Sequence, residues 1–405
     1  MVNAKALRRL FGFLVLPMLG AISPLIALPA ITSNFGALAW AAVAIAQSVG
    51  AAGGVLVELG WGLNGPQRVA RARATNQRQI LATSLATKGI AFVVIGPIAA
   101  VVSVLLAPGY EIAAALVAAG ATGVGLTASW FFVGTGSPSK IMITDSLPRI
   151  IAVIIAAVAI SLGAPLLVYG LAILIPSVAS PVLALLLTRV RIGDFRTVRG
   201  GRILIAIRLQ MVALSGRAVS ALYIALPITL VSIVSPQSVA VFASIERLQR
   251  MTLTVLQSVP NFMQGWVGRA PDRELRLRRA TRAILLNAIM GAAAGAVFAA
   301  LAPWFSSVLF SGVITVSFTL SALGGCMIFI VCVSRATGNI ALVALRSIRA
   351  ISLSALAGAL VGVPSILLLS AHLGPLGGLL GEITAELTVL LIQLWAVRRA
   401  LKVGP

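Results

Sequence analysis

Apolar residues fall along this chain in blocks of about 20 with almost no charge, the length a helix needs to cross a bilayer, and short polar breaks separate the blocks. Reading between the breaks predicts twelve spans, at roughly 10–31, 36–61, 80–106, 112–133, 148–163, 166–187, 209–234, 237–267, 282–303, 314–334, 348–369 and 375–397. The fifth is short, and only Gly163-Ala164-Pro165 separates it from the sixth. A merged helix of about 40 residues would overrun a bilayer, so the two are kept apart. The pattern predicts an all-α polytopic membrane protein with about twelve transmembrane helices.

Composition agrees with the pattern. Of 405 residues, 60% are apolar and 10% charged, against roughly 25% charged in a soluble domain, and mean hydropathy is +1.08. A soluble globular fold is excluded. The net charge of +22 would in a soluble protein suggest nucleic acid as a partner. Here it records orientation, and no nucleic-acid partner is expected. With an even number of spans and both ends in the cytoplasm, the positive-inside rule puts basic loops on alternate sides. All Lys and Arg residues fall in those segments except Lys88, Arg217, Arg247 and Arg250, which lie inside spans. The expected location is the cytoplasmic membrane of a bacterium, with both termini inside. The first 30 residues imitate a signal peptide, with Lys5, Arg8 and Arg9 before an apolar run. That run is longer than an ordinary signal sequence and the next span follows after four residues, so an uncleaved first helix is expected. Cys326 and Cys332 stand six apart on one helix and cannot bridge each other.

The outside segments are tiny: Thr32 to Phe35, Ala107 to Glu111, Gly163 to Pro165, Ser235-Pro236, a stretch after Pro303, and Ala371 to Gly374. They offer only Glu111 and His372 as ionisable groups, too little for an extracytoplasmic catalytic domain. The longest inside stretches, 188–202 and 268–281, hold no GxxxxGK[ST] phosphate loop. No enzyme activity, cofactor or metal is expected, and a protein that moves something would do so as a secondary transporter or by facilitated flipping.

Sliding the chain by 202 residues lays the second span on the eighth: Trp40 meets Phe242, Gln47 meets Gln249, and the basic loop 68–78 meets the basic loop 269–282. Two halves of six spans each are parallel repeats related by an axis along the membrane normal. The expected domains are a six-helix bundle at 1–190, a cytoplasmic basic connector at 191–204 and a second six-helix bundle at 205–405.

Major-facilitator transporters share that outline, so local sequence arbitrates. Asn34-Phe35-Gly36, then Trp40 through Gln47 to Gly50, then Glu58-Leu-Gly60-Trp-Gly-Leu-Asn64-Gly-Pro-Gln-Arg68 resembles the second helix and following loop of Wzx-type polysaccharide flippases. These belong to the MOP superfamily, with the multidrug-exporting MATE proteins and the peptidoglycan-precursor flippase MurJ. In that family a Phe/Leu-Gly turn opens the helix and an acidic residue before Leu-Gly closes it ahead of a basic segment. The chain departs from the pattern at Ala39-Trp40, where the family often has Tyr-Gly. Phe242-Ala243, followed by Arg247-Leu248, looks like the family's aromatic-Ala-x-x-x-Arg-Leu pattern. MurJ usually has fourteen spans, so twelve argues against that branch. The resemblance implies a MOP flippase-like fold and the movement of an undecaprenyl-pyrophosphate-linked oligosaccharide from the inner to the outer leaflet. It implies partners in the bilayer, the lipid-linked substrate and, transiently, proteins of polysaccharide assembly.

Ionisable residues deep in a span cost roughly 2.5–3.5 kcal/mol on insertion scales and need a partner, a wet cavity or a function. Arg217 lies about 12 Å into span seven. Glu246, Arg247 and Arg250 are near the middle of span eight, with Glu246 and Arg250 at i,i+4. Lys88 is at comparable depth in span three. Two readings stand. The charges are salt bridges tying helices together, with Lys88 snorkelling, or Arg217, Arg247, Arg250 and Lys88 form a cationic site for pyrophosphate oxygens. Three arginines facing one acid leave an excess of +2, which favours the second. Glu382 and Glu386, also i,i+4, are with Glu246 candidate proton carriers for coupling, or pairing partners for arginines on neighbouring helices. Glu58, near the cytoplasmic edge of span two, reads as interfacial. Pro17, Pro24 and Pro29 in span one and Pro227 in span seven are candidate hinges. The pairs Gly50/Gly54, Gly291/Gly295, Gly358/Gly362 and Gly377/Gly381 predict close helix contacts. Against the flippase stand a cation-coupled multidrug exporter of the same fold, expected to favour an acidic or aromatic cavity, and a membrane-embedded enzyme of polysaccharide assembly, disfavoured by the missing outside loops.

Overall fold

The computed structural model of the protein describes residues 25–190, 192–196, 205, 207–208, 210, 223–345 and 347–402. Among these, nine segments are long and apolar enough to cross a membrane, and they coincide with predicted spans two to six and nine to twelve. The eighth carries Glu246, Arg247 and Arg250 within the 18 residues Val239–Leu256, and that charge sets it apart from the nine. Most of the first span and most of the seventh lie outside the described residues; the end of the first, from Leu28, belongs to the same helix as the second. The protein is an all-α, multi-pass membrane protein.

The chain divides into two compact units, Met1–Leu226 and Pro227–Pro405. In the first, α1 (Leu28–Glu58) breaks at Gly36, whose φ of +77° is left-handed backbone that suits glycine. The segment 32–35, expected to be an outside loop, is instead helical up to that break. A left-handed pair, Leu59 and Gly60, ends α1 and turns the chain into the short α2 (Trp61–Arg71), where Arg68 lies 5.7 Å from the ring of Trp61. Next come α3 (Ala74–Leu106) and α4 (Glu111–Gly123). One 3₁₀ turn at Val124–Leu126 and an extended Thr127 separate α4 from α5 (Ser129–Gly134), so the fourth span is a broken helix. The fifth is not short. It starts with α6 (Pro138–Ile141), passes through a π-turn at Met142–Ser146 and continues as α7 (Leu147–Ser161). Gly163 then turns the chain into α8 (Leu167–Thr188), followed by α9 (Ile192–Arg196).

The second unit holds α10 (Pro227–Val234), α11 (Val239–Leu256), α12 (Ser258–Gly268), α13 (Arg273–Leu309), α14 (Phe318–Arg335), α15 (Ile348–Leu373) and α16 (Pro375–Lys402). Asp272 caps α13, accepting the Leu275 N–H at 2.6 Å. At 37 residues that helix is about 55 Å long, so its arginine-rich first turns run past the roughly 30 Å apolar layer. The expected close contacts are present: a Cβ on Gly295 would meet the Gly325 carbonyl at 2.5 Å, and one on Gly50 the Ala118 carbonyl at 2.5 Å. Side chains on the outer faces stay exposed, as with Leu105, Val93 and Leu360, which is what a bilayer accepts and water does not. In both units an 11-residue helix, α2 or α12, follows a span that ends near basic sequence, and the two helices stand close to the 202-residue offset. Cys326 and Cys332 are both free.

Candidate functional site

The predicted charges of the second unit converge. Glu246 is buried on α11 with a side chain only 5% exposed, and Arg250 one turn on donates to its carboxylate from Nε at 2.9 Å and again from Nη2. The Arg250 side chain itself is 42% exposed. On α16, Glu382 is buried and within electrostatic reach of Glu246, Arg250 and Glu386. Glu386 in turn interacts with Arg335, the last residue of α14, whose Nη1 donates to the Leu253 carbonyl of α11 at 3.1 Å. Arg247 is half-buried on α11. Gln249 stitches the same region, its amide donating to the Gly324 carbonyl at 3.3 Å. Helices α11, α14 and α16 pack against one another, and three carboxylates and three arginines share the layer.

This changes the expected balance. Arg335 was placed by sequence in a cytoplasmic segment, but a π-helical stretch at Ala336–Leu342 extends its helix, so that it lies inside the apolar run Phe318–Leu342. With Glu382 and Glu386 in the same cluster, the acids among the described residues match the arginines in number, and the predicted +2 excess is not seen there. What is seen is a polarity. Glu246 and Glu382 are the buried members, while the Arg250 side chain is partly exposed. A guanidinium facing lipid tails is costly, and here Arg250 is held by the buried carboxylate of Glu246.

Lys88 belongs to the first unit. It is fully buried, so it does not snorkel. Its ammonium donates to the Thr127 carbonyl at 3.1 Å and sits 5.8 Å from the ring of Trp130, with Glu58 as its electrostatic counterpart. The break in the fourth span frees that carbonyl, and a buried carbonyl needs a donor. Lys88 supplies it. Arg217, Pro17 and Pro24 lie outside the described residues. Pro29 sits in the first turn of α1 and Pro227 is the first residue of α10, places where a missing N–H interrupts no helical bond; Pro227 also opens the second unit. Sequence reasoning missed Arg335 and the placement of Trp130 against Lys88. The π-helix that draws Arg335 inward has no sequence mark, whereas Trp130, shortly before Gly134-Thr135-Gly136 and on the span opposite a buried lysine, was a readable sign.

No model of a known protein family matches the chain, and no curated protein matches it. Solved structures do. An inward-facing multidrug resistance MATE family transporter of the MOP superfamily aligns over 98% of this chain and 96% of its own, with a TM-score of 0.61 and 15% identity. The MATE multidrug transporter DinF-BH, solved in complex with a ligand, aligns over 98% and 96%, with a TM-score of 0.57 and 16% identity. A MOP superfamily transporter from Pyrococcus furiosus, described as having a binding pocket of reverse polarity, aligns over 98% and 94%, with a TM-score of 0.55 and 16% identity. By fold, this chain is built as the MATE transporters of the MOP superfamily are.

Proposed function

We propose that the protein is a MOP-type flippase that carries a pyrophosphate-linked lipid oligosaccharide from the inner to the outer leaflet of a bacterial cytoplasmic membrane, by alternating access. The observation that carries this reading is that Arg250 on α11 keeps a side chain 42% exposed while its partner Glu246 is buried. Arg247 stands beside it, and planar forks of this kind bind phosphate oxygens bidentately. Glu246, Glu382 and Glu386 form the coupling group, because three carboxylates this close repel one another when all are ionised, and one proton more or less shifts their balance with the arginines. Full-length protein in nanodiscs, titrated with farnesyl pyrophosphate, tests the reading. Saturable binding is expected, lost in Arg247→Ala/Arg250→Ala and partly kept with Lys at both positions. Equal binding by wild type and the Ala variant overturns it.

A second reading is a cation-coupled multidrug exporter, favoured by the solved MATE structures, one of them a multidrug transporter holding a bound ligand. On that reading tetraphenylphosphonium, not farnesyl pyrophosphate, binds saturably, and Glu382→Gln abolishes it.

A further inference from the structure

The first unit contains a cavity of about 390 Å³ at the C-terminal end of α1, against the break in the fourth span. Gly54, Glu58, Gly125, Thr127, Ser129 and Trp130 are among the residues that line it. Its size falls in the range of small-ligand sites. The left-handed turn at Leu59 and Gly60 holds Glu58 at its edge, and Gly62 leaves room for the carboxylate to lie over the start of α2, since a Cβ there would collide with it.

The polar groups of the wall are a mixed set. Glu58 brings a carboxylate, Thr127 and Ser129 bring hydroxyls, and Ser129 Oγ reaches Asp145 Oδ2 at 3.5 Å, itself paired with Arg149 at 2.5 Å. Trp130 is 6% exposed, and its indole N–H has no acceptor among the described residues. The rest of the wall is alanine, valine and glycine.

Charge decides which ligand suits this set. Lys88, buried behind the wall, offsets the field of Glu58, so an organic cation gains little from the carboxylate. Glu58 in turn repels an anion. A neutral molecule rich in hydroxyls fits both: each hydroxyl donates and accepts, so it can give a charge-assisted bond to Glu58 and exchange one with the Ser129 hydroxyl, while its C–H face lies on the apolar wall. We propose that this cavity is a saccharide subsite, which takes uncharged sugar units of the substrate. The assignment rests on the flippase reading and deepens it.

The test is saturation-transfer NMR on full-length protein in nanodiscs, with glucose, galactose, mannose, N-acetylglucosamine and maltose as neutral probes and tetraphenylphosphonium as the cationic one. At least one saccharide binds saturably, its affinity falls about tenfold in Glu58→Gln and in Ser129→Ala, and it is unchanged in Arg247→Ala/Arg250→Ala. Glu58→Gln keeps shape, so a folding defect in Ser129→Ala leaves the proposal exposed to failure. It is overturned if no saccharide saturates, if both variants bind as wild type does, or if tetraphenylphosphonium binds and Glu58→Gln removes it. Failure of farnesyl pyrophosphate to bind, with saccharide binding intact, overturns the flippase reading and leaves the saccharide subsite standing.

Discussion

The two units treat intramembrane charge in opposite ways. In the first, one cation is sealed: Lys88 is fully buried, tied to a carbonyl that a broken helix releases and to the face of Trp130. In the second, six charged groups on α11, α14 and α16 share a layer, with Glu246 and Glu382 buried and the Arg250 side chain partly exposed. A sealed charge has a fixed partner and holds one backbone arrangement. A layered cluster has several pairings of similar energy, which a ligand or a proton can choose between. An 11-residue helix follows α1 in the first unit and α11 in the second, yet the charges near them are arranged differently.

Three perturbations sharpen this contrast. The largest effect is expected from Glu382→Gln/Glu386→Gln, which removes the choice of pairings: transport in liposomes loses its response to an imposed pH gradient while farnesyl pyrophosphate still binds. A gradient response equal to wild type would make the pair structural. A moderate effect is expected from Lys88→Met, which leaves the Thr127 carbonyl without its donor. Unfolding should show a loss of about 1–3 kcal/mol, with pyrophosphate binding by the second unit unchanged; a fall in that binding would end the division of roles between the units. The smallest effect is none at all. Arg278→Cys, placed on the exposed first turns of α13 in a background with Cys326 and Cys332 replaced by Ser, should not react with an impermeant maleimide added outside intact cells, and labelling there would reverse the proposed orientation.

Much of the fold was legible because bilayer length and charge avoidance leave few solutions. Nine predicted spans recur as helices, and the turn at Gly163 separates the fifth from the sixth as read. What stayed hidden was irregular backbone. Nothing in Ala336–Leu342 announces a π-helix, so Arg335 read as a loop residue, and the break at Thr127 carries no proline to mark it. The small-residue pairs were legible since only glycine allows the approach of Gly295 to Gly325. At the site, the i,i+4 spacings Glu246/Arg250 and Glu382/Glu386 gave two faces. That these faces meet is a tertiary fact that one helix's sequence does not contain.

The central claim is that the arginine face of α11 carries an anionic lipid-linked substrate. The most direct measurement is leaflet-to-leaflet movement of a fluorescent polyprenyl-pyrophosphate disaccharide in liposomes holding the full-length protein. The account predicts protein-dependent movement that falls to the rate of empty liposomes in Arg247→Ala/Arg250→Ala, with that variant still folded and inserted. Movement at the wild-type rate in the double variant would contradict it.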